Sequence, residues 1–378
     1  MAVGPALYDA LMPATNIVEA SRSYERWLGA HTQIVKADLD FKHVQMAADP
    51  FSFMRATYYR WAQLFPDICP DLAGAPMLLG VGDLHVENFG TWRDAEGRLV
   101  WGVNDFDEVH RLAYTNDLVR LAVSARLAAR MGQLQITMKD LCAAILAGYD
   151  KGIQGHGRPM VLAETDRWLR LQALGDLRDP VTFWAHMERF SRAGAVNPEA
   201  RKLLAEALPS DAAAVSFCRR RVGLGSLGSQ RFTAIAEWRG GAIAREAKAL
   251  VPPASDWAHP PRNPGRIHFQ TILERAVRCP DPTLHVHQHW VVRRLAPDCS
   301  RIELPSLPAK LGEEKLLRAM GFETANVHHG SRDAIAEVRS NLAQQPSDWL
   351  DSATRKMEKA LRADWKAWRR ARPHGRSA

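Results

Sequence analysis

The sequence predicts an α+β chain in which a helix-rich body carries a small antiparallel sheet. Three observations lead there. Apolar residues recur at three- and four-residue spacing through much of the first 215 residues and again in the last third. Between residues 221 and 250 the period shortens, and Gly223, Gly225 and Gly228 precede two short apolar runs. Two further apolar runs, 76–81 and 99–103, each end in carboxylates and amides. A chain of 378 residues holds two domains or one large bilobal one. The expected division is 1–215 (helical, with the acidic motifs at 78–124), 216–305 (β-rich) and 306–378 (helices packing back on the first part).

Composition narrows the classes. Hydrophobic content of 46% and charged content of 24% place the chain among soluble globular proteins. No run of about 18 apolar residues indicates a membrane span. The opening MAVGPALYDALMPATN lacks the basic and apolar regions of a secretion signal. Five scattered cysteines, none in a CxxC pair, point to reduced thiols in a cytoplasm and to no structural zinc. The net charge of +8 suits nucleic acid or phosphorylated small molecules. No zinc-finger, RNP or helix-turn-helix pattern accompanies it, so the small-molecule class is preferred.

The elements follow in order. Glu19 to Leu28 and Phe51 to Phe65 read as helices. The runs Pro76 to Val81 and Leu99 to Val103 have the length and content of buried strands. Asp117 is placed to cap a helix from Leu118 to Met131, with an apolar stripe of Leu118, Leu121, Ala122 and Ala125. A second helix runs from Ile136 to Tyr149 and stops at Gly152 and Gly155. Residues 163–208 read as helical. Gly223-x-Gly225-x-x-Gly228 precedes a strand at Phe232 to Ala236, and a hairpin leads to a second strand, Gly241 to Leu250. Pro252, Pro253, Pro260, Pro261 and Pro264 mark a loop. A helix follows from about Ile267 to Arg278. His285, His287 and His289 alternate on a strand, as a metal site or as a half-exposed edge. Trp290 to Leu295 is a further strand. Helices at Glu313 to His328, Asp333 to Leu342 and Ser347 to Arg370 complete the chain.

The acids at the strand ends carry the chemistry. Asp83, His85 and Asn88 follow the first apolar run; Asn104, Asp105, Asp107 and Glu108 follow the second. Like charges gathered at one rim raise each other's pKa, and a hard divalent cation such as magnesium neutralises them with oxygen ligands. Asp83-x-x-x-x-Asn88, followed by Asp105-Phe106, has the spacing of a kinase catalytic loop and its metal-binding aspartate. The stretch resembles the aminoglycoside phosphotransferase and choline kinase branch of the kinase-like superfamily. It resembles more closely an uncharacterised bacterial family with GDxHxxNFG, NDFDE and DLxRLA motifs, present here at Gly82 to Gly90, Asn104 to Glu108 and Asp117 to Ala122. Val81 replaces the histidine of the phosphotransferase HGD, and Asp107 replaces the glycine of D-F-G.

The resemblance implies a bilobal kinase-like phosphotransferase using ATP and magnesium on a small-molecule or protein hydroxyl. Asp83 would be the base, and Asn88 and Asp105 the metal ligands; Asp107 either joins them or faces water. Asp117 would brace the catalytic loop. Gly223, Gly225, Ser226 and Gly228 would cradle phosphates through backbone N–H groups. Either Arg245, favoured by the family's K-E-A register, or Lys248 would pair with phosphate; strand alternation puts the two on opposite faces. Glu274 would partner that base, and Trp290 to Leu295 would line the adenine. Arg55, in a PFxFxR block, is a phosphate contact or a surface ion pair. The glycine motif follows the catalytic motif, opposite to the kinase order. It is therefore either a coincidence or the mark of circular permutation, and the correct cyclic order of the pieces favours permutation. A metal-dependent phosphoesterase using Asp83, His85 and Asp105, and a nucleotide-binding pseudokinase, are the competing readings.

Overall fold

Asn16 lies in extended backbone and its side chain accepts from the N–H groups of Val18 and Glu19, which starts the first helix. The structure, a computed structural model, describes residues 16–132, 134–162, 165–173, 179–190, 195–299 and 312–372. The opening segment, part of the 163–208 stretch, the 305/306 boundary and the end of the basic tail lie outside these residues.

Five helices come first: α1 (Ile17–His31), α2 (Lys36–Ala48), α3 (Pro50–Ala56), α4 (Tyr58–Ile68) and the short α5 (Pro70–Ala73). Where one helix over 51–65 is expected, the chain breaks at Thr57. Its hydroxyl donates to the Phe53 carbonyl at 2.7 Å, in competition with the helical ladder. Four strands follow, β1 (Met77–Gly80), β2 (Phe89–Arg93), β3 (Leu99–Val103) and β4 (His110–Ala113). Then come α6 (Tyr114–Arg130), α7 (Met138–Gln154), β5 (Met160–Val161), α8 (Arg167–Ala173), α9 (Pro180–Glu188) and α10 (Pro198–Glu206). The two apolar runs are indeed strands but belong to different sheets: β1 pairs with β4, while β3 lies between β2 and β5.

Two helix ends differ from expectation. α6 starts at Tyr114, so Asp117 is no cap; it lies fully buried in the first turn. α7 runs through Gly152 and ends only at Gly155. A side chain at Gly152 would meet the Ala325 methyl at 2.6 Å, so glycine serves helix packing there rather than termination.

The second half opens with β6 (Ala213–Arg219), β7 (Arg231–Trp238) and β8 (Gly241–Ala249), then α11 (Ala254–Ala258), α12 (Phe269–Arg275), β9 (His285–His287) and β10 (Trp290–Leu295). These strands form one antiparallel sheet in the order β6-β7-β8-β10-β9. The fold class is mixed α+β with antiparallel sheets. Register sorts the side chains: Arg231 opposes Lys248, and Glu246 opposes both Thr233 and Arg293, so these share one face. The opposite face buries Phe232, Ala234, Ala247, Ala249, Trp290 and Val292 against α10.

α13 (Glu313–His328), α14 (Ile335–Gln344) and α15 (Trp349–Ala371) return to the helices of the first half. α13 crosses α7 at glycine: a Cβ on Gly148 would overlap the Arg318 carbonyl, and one on Gly321 the Ile145 carbonyl. α15 lays Leu350, Met357, Leu361 and Trp368 into the same core. Among the described residues no helix is long and apolar enough to cross a membrane.

Candidate active site in the acidic cleft

The loop after β1 is fixed from beneath. Gly82 has φ +77°, and a Cβ there would overlap the Glu108 carbonyl, so only glycine fits. The N–H groups of Val81 and Gly82 donate to the two oxygens of Asp117, at 2.7 and 2.9 Å. Asp117 also meets His328 Nε2 at 3.0 Å, and Tyr149 Oη lies 2.9 Å from His328 Nδ1. This buried chain orients the loop without entering the cleft.

Asp83 stands above that support. Its Oδ1 accepts from Nε and Nη2 of Arg120, at 2.9 and 2.5 Å. Arg120 is wholly buried in α6, with its guanidinium over the rings of Tyr58 and Trp61. A Cβ on Gly225 would sit 3.4 Å from the other Asp83 oxygen, Oδ2. The glycine turn between β6 and β7 therefore lies directly against the Asp83 loop, about 140 residues away in sequence. Gly223 and Gly228 in that turn have φ of +76° and +105°, which no branched residue adopts comfortably. The turn is held down by α2: Lys42 Nζ donates to the Gly225 carbonyl at 2.7 Å, and Val35 N–H to that of Gly228 at 2.8 Å. Burial pulls the Lys42 ammonium down to about 8.

Asn88 ties the two acidic motifs together. Its Oδ1 accepts the Asp105 N–H at 2.9 Å, and its Nδ2 donates to the carbonyls of Asp83 and Asp105, both at 3.1 Å. The expected metal ligand is thus committed to backbone, and its structural task is to set the distance between Asp83 and Asp105.

Lys248, not Arg245, faces the acids. Its Nζ lies 2.8 Å from Asp105 Oδ2 and also pairs with Asp107. Arg245 is on the other face of β8, where it donates to the carbonyls of Ala207 and Ala244. The family register favoured Arg245; alternation puts the two on opposite faces, and the packing of β8 against the acidic loops decides for Lys248. Enclosure raises both aspartates, but at Asp105 the Lys248 ammonium outweighs it and holds the carboxyl below the ordinary range. Asp107, enclosed and beside ionised Asp105, is pushed up above the ordinary carboxylate range. Glu108 is pushed up by burial to about 8 while accepting the Ala254 N–H at 2.6 Å.

Glu274, the expected partner of the strand's base, is exposed on α12 and accepts from Gln270 instead. Of the strand Trp290 to Leu295, Trp290 turns to the α10 face and donates to Glu199, while Arg293, Arg294 and Leu295 border the cleft. Arg55 pairs with Glu87. His285 and His287 are exposed on the edge strand β9. Among the described residues no three His, Cys, Asp or Glu groups are arranged to hold a metal. A divalent cation fits the Asp105–Asp107 pair on different grounds: a cationic ammonium already sits there, and Asp107 Oδ1 is buried without a hydrogen-bond partner.

Sequence reasoning missed the arginines. Glu246 on β8 is fully buried and pairs with Arg220 (2.8 Å), Arg231 (3.2 Å) and Arg293 (2.9 Å). Burial would raise Glu246; the guanidiniums of Arg231, Arg293 and Arg220 overcome this and hold it well below the usual range. Period-two alternation of Glu246 with Lys248 was the available signal. The acids, the glycine turn and these arginines border one cleft of about 540 Å³.

A family described as "Uncharacterized protein conserved in bacteria (DUF2252)" matches residues 34–181. This span contains α2, the Asp83 loop, Asp105 and Arg120, but neither the glycine turn nor Lys248. An uncharacterised bacterial family was what the motifs led one to expect. No curated protein and no solved structure matches the chain.

Proposed function

We propose that the chain is an ATP- and magnesium-dependent phosphotransferase of kinase-like type, acting on a hydroxyl acceptor. One observation carries the reading: Asp83, Asp105, Asp107 and the glycine turn border one cleft, and Lys248, more than 160 residues beyond Asp83, meets Asp105 and Asp107 from a small adjoining pocket. The second strand after the glycine turn, β8, third when counted from β6, supplies the lysine, as in kinases. The order of these parts in the chain is the permuted one.

Magnesium and ATP would supply a charge-neutralised phosphoryl group. Asp105 and Asp107 would hold the cation, and Lys248, released from them, would pair with phosphate oxygens. The N–H groups of the glycine turn would donate to the phosphate chain. Arg120 fixes Asp83 through Oδ1, which leaves Oδ2 to orient the acceptor hydroxyl and take its proton late. Gly225 lies over Oδ2, and with no Cβ it leaves room there for an acceptor. The phosphoesterase reading fits less well, because a metal on Asp83 would stand beside the Arg120 guanidinium.

The test is ADP release from magnesium-ATP over a panel of hydroxyl acceptors, with phosphoester hydrolysis measured alongside. Acceptor-stimulated ADP release is expected. Hydrolysis of phosphoesters without nucleotide would contradict the reading in favour of the phosphoesterase, and ATP binding with no turnover would favour the pseudokinase.

A further inference from the structure

The cluster around Glu246 holds more positive charge than the fold needs. One guanidinium neutralises one carboxylate; here Arg220, Arg231 and Arg293 share a single one, so the cluster keeps a net positive charge. Holding three largely buried guanidiniums together without full pairing is costly. The Nε of Arg220 is moreover buried with no partner. A device that only satisfied Glu246 would not be built this way.

Its position names the ligand class. Glu246 and Lys248 are successive residues on the cleft face of β8, about 6.6–6.8 Å apart along the strand. Arg293 on β10 is in register with Glu246. Arg231 donates to Ser226 Oγ at 2.8 Å, which joins the cluster to the glycine turn. Lys248, Arg293, Arg231 and the turn thus form one continuous donor arc. One row further out, Ala244 and Leu295 pack with Phe183 and Met187 of α9, and Leu295 and Phe183 border the cleft there. The face of the sheet next to Lys248 therefore offers guanidiniums where a flat, apolar platform for a base would otherwise lie. Guanidinium forks match phosphate oxygens bidentately.

We propose that Arg220, Arg231 and Arg293 form a subsite for an oligophosphate chain, so that the donor is held by its phosphates and not by its base. The inference rests on the phosphotransferase reading and adds to it the basis of donor choice. The chain comes from a nucleoside triphosphate or from inorganic oligophosphate, and the ligand panel separates the two.

The experiment is calorimetric titration of the full chain, in magnesium, with ATP, GTP, CTP, inorganic tripolyphosphate, AMP and adenosine. The three nucleoside triphosphates should bind within about threefold of one another, and AMP and adenosine roughly 100-fold more weakly. Tripolyphosphate within about tenfold of ATP marks a nucleotide donor; tripolyphosphate more than about tenfold tighter marks an inorganic one. Arg220→Gln and Arg293→Gln should each weaken ATP and tripolyphosphate by roughly tenfold or more, the usual scale of a charge-assisted hydrogen bond. Glu246→Gln, which removes the competing carboxylate, should keep or tighten tripolyphosphate binding. ATP more than about tenfold tighter than GTP and CTP, or adenosine competing as well as ATP, would overturn the subsite and leave the phosphotransferase reading standing. Phosphate-chain binding as described, with no transfer to any acceptor, would do the reverse.

Discussion

At the scale of single residues, the site depends on Arg120, which fixes the Asp83 carboxylate, and on Asn88, which ties the Asp83 and Asp105 backbones together. Asp83→Asn keeps the size and most hydrogen bonds but removes the basic oxygen. It should leave ATP affinity nearly intact and lower phosphoryl transfer by roughly 10²- to 10⁴-fold, read by parallel binding and rate measurements. Arg120→Met strips the buried guanidinium and leaves the Asp83 carboxylate without its donor, while the Met54 carbonyl keeps the Thr57 N–H. A loss on the order of 3 kcal/mol in urea unfolding is expected, the low end for a broken buried pair because Asp83 keeps some exposure. The acids were legible in the sequence because their spacing is local: Asp83, Asn88 and Asp105 lie within 23 residues. Arg120 was not, since a charged residue within a helical pattern reads as solvent-facing until the partner across the fold is known. Lys248 was half legible, because strand alternation gave two opposite faces and only the tertiary fold shows which one meets the cleft. Glu274 failed for the converse reason: any helix near a strand offers a glutamate.

At the scale of elements, the tightest joint is the α7–α13 crossing. Gly148→Ala forces a methyl into the Arg318 carbonyl, and backbone cannot move aside as a side chain does. A loss of about 1–3 kcal/mol is expected from overpacking. Gly74→Ala, where φ is −82° and the nearest atoms lie at 3.6 Å, should stay within about 0.5 kcal/mol. α13 also carries Glu323, buried beneath β3 and accepting from Val103 N–H and Asn326. Burial raises its carboxyl from 4.5 to about 7. A raised folded-state value means that the associated stability is complete below the unfolded value and is lost as pH rises through the folded one. Wild type relative to Glu323→Gln should therefore lose stability between pH 4.5 and 7, on the order of 3 kcal/mol, and change little above that. The strands β3 and β10 and the helix α13 were readable to the residue, because each is a strong apolar pattern bounded by turn or charge signals. β2, β4, β5 and β6 were not; they are short or polar and acquire their identity from the strand beside them.

At the scale of the whole molecule, function depends on distant pieces of chain meeting. Lys42 reaches the carbonyl of Gly225, Lys248 the carboxylate of Asp105, and His328 that of Asp117. A local sequence window contains none of these pairs, which is why the motifs suggested a chemistry while the wall of arginines stayed hidden. The same long ties place the glycine turn over Asp83 and gather acids and guanidiniums around one cleft. On the proposed reading this cleft takes a phosphate chain together with a divalent cation held by Asp105 and Asp107. The measurement that meets it most directly is calorimetric titration of ATP into wild type and Asp105→Ala, each with magnesium and with chelator. Wild type should bind at least about tenfold more tightly with magnesium, and Asp105→Ala should lose that difference. Equal affinity of wild type under both conditions, or an undiminished magnesium effect in Asp105→Ala, would contradict it.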